Sequence, residues 1–168
     1  MTEAQILHAF QHSPIGETMR AVPWLFAALE TAHFIGLSIL LGAIFIIDVR
    51  LLGRLRMIPF RSVVKLIPFA IFGFGLNVVS GAGFFCSNPM MYWPNPAFKL
   101  KMFLVALAGL NAVWFAFAEE RRVLRLDDHA ATDTQMKVTA GLSLFFWFSV
   151  ILLGRLLPTF EGSNSFFN

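Results

Sequence analysis

The sequence predicts an all-α integral membrane protein, a four-helix bundle preceded by short amphipathic helices and with both termini outside the cytoplasm. Three observations carry that expectation. Of the 168 residues, 57% are hydrophobic and only 14% are charged, against about 25% charged in soluble domains. The apolar residues gather into four segments, each close to the ~20 residues that a helix needs to cross a hydrocarbon core. Basic residues concentrate in two loops between those segments, Arg50, Arg54, Arg56, Arg61 and Lys65 in the first and Arg121, Arg122, Arg125 and Lys137 in the second. Of the 13 Lys and Arg, only Arg20, Lys99, Lys101 and Arg155 lie elsewhere, so by the positive-inside rule both loops are cytoplasmic. The net charge of +3 is thereby a topology signal rather than a nucleic-acid surface.

Residues 1–22 read as an N-terminal interfacial amphipathic segment, 23–160 as the four-helix transmembrane domain and 161–168 as a short tail. Within the first, Ile6, Leu7 and Phe10 share one side of a short helix. His8 and His12, at i and i+4, have the spacing of two ligands of one metal, or more simply of two interfacial histidines. Ser13 and Pro14 supply an N-cap and a first helical residue for a second short helix over 14–21. The N-terminus shows neither a basic region followed by an apolar run nor a small-residue cleavage site, so the first membrane helix is expected to serve as the insertion signal.

That first membrane helix dominates the stretch 23–56, in which Glu30, Thr31, His33 and Ser38 interrupt an almost unbroken apolar run and arginines close it. Span two is expected over about 65–85, with Gly73, Gly75, Gly81 and Gly83 allowing close helix packing and Asn77 and Ser80 forming a polar face. The segment CSNPMMYWPNPAFKLK then reads as an ordered extracytoplasmic loop with Tyr92 and Trp93 at the interface. Span three is expected over 98–118, opened by Lys99 and Lys101 and holding Asn111 past its middle. Span four is expected over 138–160, with Arg155 near its outer end. A single cysteine, Cys86, excludes an internal disulfide and a multi-thiolate metal site.

Glu30 and His33 are the informative pair, because ionisable side chains three residues apart share a helix face and are costly inside a bilayer. At ~1.5 Å rise per residue, Glu30 lies ~10 Å and His33 ~15 Å below the outer boundary. Glu30, His33, Asn77, Ser80, Lys101 and Arg155 can then gather in the extracytoplasmic half of the bundle as a polar site. The alternative is that Glu30 pairs with Lys101 or Arg155 and His33 hydrogen-bonds Asn77 or a carbonyl, fixing helix register only. Phosphate-loop, G-x-S-x-G, H-E-x-x-H and C-x-x-C motifs are absent. The E-x-x-H of Glu30 to His33 lacks the second copy that a di-iron bundle site requires.

The stretches WLFAALETAHFIGLSILLGAIFIIDVRLLG (24–53) and NPAFKLKMFLVALAGLN (95–111) resemble an uncharacterised family of small bacterial inner-membrane proteins with four spans. That resemblance implies a multi-pass inner-membrane location and no particular activity. A histidine in span one followed by a lysine opening span three is more distantly similar to the four-helix protoporphyrinogen oxidase family and to copper-resistance D-type membrane proteins. This similarity implies haem b or another metal bound by His33, with Lys101 as the basic counterpart. A second axial histidine is missing from spans two to four, and His129 sits in the charged inner loop, far from His33. Met102 or a five-coordinate haem remains.

Two functions follow. In the first, His33 ligates haem iron or another metal, Lys101 or Arg155 holds a propionate or an anionic substrate, Glu30 orients the imidazole or relays a proton, and Asn77 lines the site. In the second, the chain is an accessory subunit without a cofactor, its many phenylalanines facing lipid, another membrane subunit or a second copy.

Overall fold

Caps and prolines, more than hydropathy, decide where each helix begins. The computed structural model describes residues 2–127 and 130–160; His129 and the tail 161–168 lie outside the described residues. Among the described residues the chain is helical throughout, without a strand. Helices α1 (Glu3–Gln11) and α2 (Pro14–Ala21) lead into the long α3 (Pro23–Leu51). The turn α4 (Phe60–Val64) precedes α5 (Ile67–Ser87), and the single turn α6 (Pro89–Tyr92) precedes α7 (Pro96–Trp114). A π-helical turn, Phe115–Glu119, joins α7 to α8 (Glu120–Val123), and α9 (Thr134–Leu156) ends in a 3₁₀ turn, Leu157–Phe160.

Four continuous helical stretches are long and apolar enough to cross a membrane: Pro23–Leu51, Phe60–Ser87, Pro96–Val123 and Thr134–Phe160, of 29, 28, 28 and 27 residues. At ~1.5 Å per residue each runs to roughly 40 Å, which covers a hydrocarbon core and its interfacial layers. Spans three and four begin earlier than their first apolar residues indicate. The Asn95 side chain accepts from the Ala97 amide at 2.9 Å with Pro96 at the first helical position, and Asp133 accepts from the Met136 amide at 2.9 Å. Each capping side chain satisfies an amide the helix itself leaves open, so the start falls at the cap.

The helices form a row, α5–α3–α9–α7, in which α3 packs on both α5 and α9 and α7 packs mainly on α9. The α3–α5 contact is the tightest. A Cβ added to Gly73 would lie 2.6 Å from the Gly36 carbonyl and 2.7 Å from the Leu40 amide, so backbone meets backbone. Apolar layers hold the rest together. Leu40, Ala108, Trp147 and Val150 form one layer in mid-bundle, and Ile47, Leu51, Phe60, Val63, Val123, Met136 and Ala140 form another at the end carrying the basic loops. Two asparagines tie α7 to α9, Asn95 Nδ2 donating to the Leu157 carbonyl at 3.0 Å and Asn111 Nδ2 to the Thr139 carbonyl at 3.1 Å. At the termini end, Phe85 and Phe98 stack at 5.7 Å and bridge α5 to α7, with Tyr92 and Trp93 alongside.

The N-terminal helices fold back on the bundle. Arg20 donates to the Ser87 carbonyl at 3.2 Å and to the Gln11 carbonyl at 2.6 Å, and Glu3 accepts from the Trp93 indole. Residues 2–22 are thus held against the ends of α5 and α6 by named contacts.

Because Gly73 faces immovable backbone whereas Gly75 has nothing within 4 Å of an added Cβ, the two glycines should differ sharply on substitution. Gly73→Ala is expected to cost about 1–3 kcal/mol, the range for forcing a methyl into a filled core. Gly75→Ala should stay within ~0.5 kcal/mol. Unfolding of both variants in a mild detergent, followed by circular dichroism, checks the contrast.

Candidate functional site

Close approach of α3 and α5 brings His33 onto Ser80, with His33 Nδ1 2.8 Å from Ser80 Oγ. Ser80 is 2% exposed, and its hydroxyl reaches the Leu76 carbonyl at 2.7 Å and the Asn77 carbonyl at 3.3 Å. A hydroxyl has a single proton to donate. With that proton directed at the carbonyls of its own helix, the Ser80 oxygen accepts from His33, which places the imidazole proton on Nδ1 and the lone pair on Nε2. The ring leans on Phe84, with centroids 5.5 Å apart. Among the described residues Nε2 has no hydrogen-bond partner.

Lys101 stands across the bundle on α7. Its Nζ lies 3.4 Å from where a Cβ on Gly154 would sit, so the ammonium occupies room that the missing side chain leaves on α9. It is close enough to His33 for the two to interact electrostatically. Among the described residues Lys101 has neither an ion pair nor a hydrogen bond. An unpaired ammonium is costly in a membrane interior and favours an anion beside it.

The other expected site residues are placed differently. Glu30 is exposed, and no ion pair reaches it among the described residues. The inward stripe of α3 runs through His33, Gly36, Leu40, Ala43 and Ile47, and it is too narrow to include a residue one helical step from Leu29. Asn77 donates to the Gly73 carbonyl at 2.8 Å and lies over Gly36, so it serves the helix contact. Met102 is 43% exposed and turned a helical step away from Lys101, and Arg155 is exposed. No group of three His, Cys, Asp or Glu gathers among the described residues. His8 and His12 do stack, at 5.9 Å, but on an exposed surface where His12 Nδ1 lies 3.9 Å from Glu17.

Buried charge also collects at the opposite end, where the sequence pointed only to solvated loop residues. Arg50 and Glu119 are 0% exposed and Asp48 is 5% exposed. Arg50 donates to the Ile58 carbonyl at 2.7 Å and its guanidinium lies 3.7 Å from the centre of the Phe60 ring. Glu119 accepts from the Thr139 hydroxyl at 2.8 Å, and Thr132 donates to the Leu51 carbonyl at 2.6 Å. The available signal was position: Asp48 and Arg50 sit within the last turn of an apolar run, and Glu119 directly follows one.

Fold and polar groups together define a bundle of four helices long and apolar enough to cross a membrane, with one basic and one imidazole group inside its termini-side half. A family model, described as a family of unknown function (DUF6644), matches residues 9–160, and the chain belongs to that family. No curated protein and no solved structure matches the chain. None of these comparisons supports the more distant similarities to protoporphyrinogen oxidases and copper-resistance D-type proteins.

If Ser80 sets the imidazole tautomer, Ser80→Ala should release it. Nitrogen NMR of ¹⁵N-histidine-labelled protein is expected to show protonated Nδ1 at His33 in the wild type and a mixture of tautomers in the variant. An unchanged spectrum would sink the assignment.

Proposed function

We propose that this protein binds an anionic, metal-bearing cofactor, haem b or another metal complex, in the termini-side half of the bundle and uses it for one-electron transfer. The observation that carries this reading is the Ser80–His33 hydrogen bond, which leaves Nε2 as a bare ligand atom. Metal-bound imidazoles are oriented in this way through their other nitrogen. Lys101, an ammonium without a protein anion, would take a propionate or comparable carboxylate. Bound haem iron would supply the redox change. His33 would hold the metal, Lys101 would neutralise one carboxylate and Phe84 would help to exclude water.

The charge distribution supports an inner-membrane orientation with both termini outside the cytoplasm. A second reading, an accessory subunit without a cofactor, draws on the α5 and α7 surfaces. Phe69, Phe72 and Phe103 are each about 60% exposed there, and apart from the aromatic bridge at the termini end α5 and α7 do not pack on one another. A partner helix would fit along that side.

The first reading predicts a Soret band, or stoichiometric copper or iron, in protein purified from membranes supplied with haem precursors or metal. His33→Ala should abolish it, and Lys101→Ala should weaken retention about tenfold, a loss of ~1.4 kcal/mol. Protein free of haem and metal that carries one stoichiometric partner in mild detergent would favour the second reading. Reporter fusions at the two termini test the orientation independently.

A further inference from the structure

Asp48 and Glu119 come from different helices yet lean on consecutive turns of α9. Glu119 accepts from Thr139 through Oε1, and Ser143, four residues further along the same face, has its hydroxyl within hydrogen-bonding reach of Asp48. Each carboxyl also has an oxygen, Asp48 Oδ2 and Glu119 Oε2, that is buried without any hydrogen-bond partner. Neither is ion-paired among the described residues. Glu119 closes the π-helical turn Phe115–Glu119, a widened turn of a kind frequent at functional sites.

Among the described residues no ion pair joins a surrounding charge to either carboxyl. On α3 the buried cation is Arg50, engaged by the Ile58 carbonyl and the Phe60 ring. The part of α9 that faces the pair offers Thr139 and Ser143, while Lys137 is exposed. Beyond the π turn, Glu120 is half-buried, Arg121 is exposed, and Arg122 pairs with Asp133 at 2.5 Å. From α4 and the start of α5, Arg61 and Lys65 are exposed. A carboxylate taken out of water without a counter-charge is far costlier than the neutral acid. A multivalent metal would ask for six or more oxygens, and no third acidic residue or histidine joins the pair among the described residues.

We propose that Asp48 and Glu119 form a proton-binding site at the basic-loop end of the bundle, each carboxylate taking one proton from the adjoining aqueous phase onto its unpartnered oxygen, Oδ2 and Oε2. Glu119 Oε1 continues to accept from Thr139. Protonation forms two O–H bonds, breaks none in the protein and cancels two buried negative charges. The site is separate from His33, which lies 15 residues before Asp48 along α3 (48 − 33), and stands whether or not His33 holds a metal.

Infrared spectroscopy of the full chain in lipid bilayers tests it. At neutral pH a protonated-carboxyl C=O band that shifts in D₂O is expected from this pair. Asp48→Asn and Glu119→Gln should each remove about half of it. A spectrum with carboxylate bands alone, or a band unchanged in both variants, overturns the proposal. So does a band that sodium abolishes while raising the unfolding temperature, since the site would then hold an alkali cation. Should a variant fail to fold, the wild-type spectrum decides: a protonated-carboxyl band at neutral pH supports the site, and its absence refutes it.

Discussion

The contact between the backbones of Gly36 and Gly73 sets the spacing on which the rest of the bundle depends. With the two helices this close, a serine hydroxyl on α5 reaches an imidazole on α3 directly, and Asn77 can lie across the junction while still bonding its own helix. A larger residue at either glycine would separate the helices by more than a hydrogen bond can span. The contact is short-range packing, the form of helix association available where lipid removes most of the hydrophobic drive between helices.

Polar side chains in such a bundle must use their hydrogen bonds locally, and most here do. Ser80 and Asn77 bond carbonyls of their own helix, while Asn95 and Asn111 bond carbonyls of the helix beside them. Against this background the exceptions stand out. Nε2 of His33, Nζ of Lys101 and one oxygen each of Asp48 and Glu119 lack protein partners among the described residues. They fall at the two ends of the bundle, basic groups toward the termini and acidic groups toward the basic loops, with the apolar layer of Leu40, Ala108, Trp147 and Val150 between them.

The four spans were legible because hydropathy reports transfer to lipid directly, but of the four glycines of span two only Gly73 and Gly83 meet α3, while Gly75 and Gly81 face open space. Span one begins at Pro23 as expected, whereas the starts of spans three and four were missed by two and four residues, since the polar capping residues Asn95 and Asp133 lie outside any apolar window. The pairing of His33 with span two was within reach, though Ser80 rather than Asn77 is its partner. The inward placement expected of Glu30 was wrong, because a 60° difference between i and i+3 decides sides on a helix with a narrow buried stripe, and Glu30 falls on the exposed side. Arg50 and Glu119 looked like solvated loop charges. Their burial depends on how the loop after α3 and the π turn fold over the bundle end, which no local pattern encodes.

The row α5–α3–α9–α7 falls into two closely packed pairs. Glycine contact joins α3 to α5, and two asparagine bonds join α7 to α9, so His33 belongs to one pair and Lys101 to the other. The pairs meet along the α3–α9 seam and at the Phe85–Phe98 stack. Anything seated between imidazole and ammonium would therefore fasten the two pairs to one another.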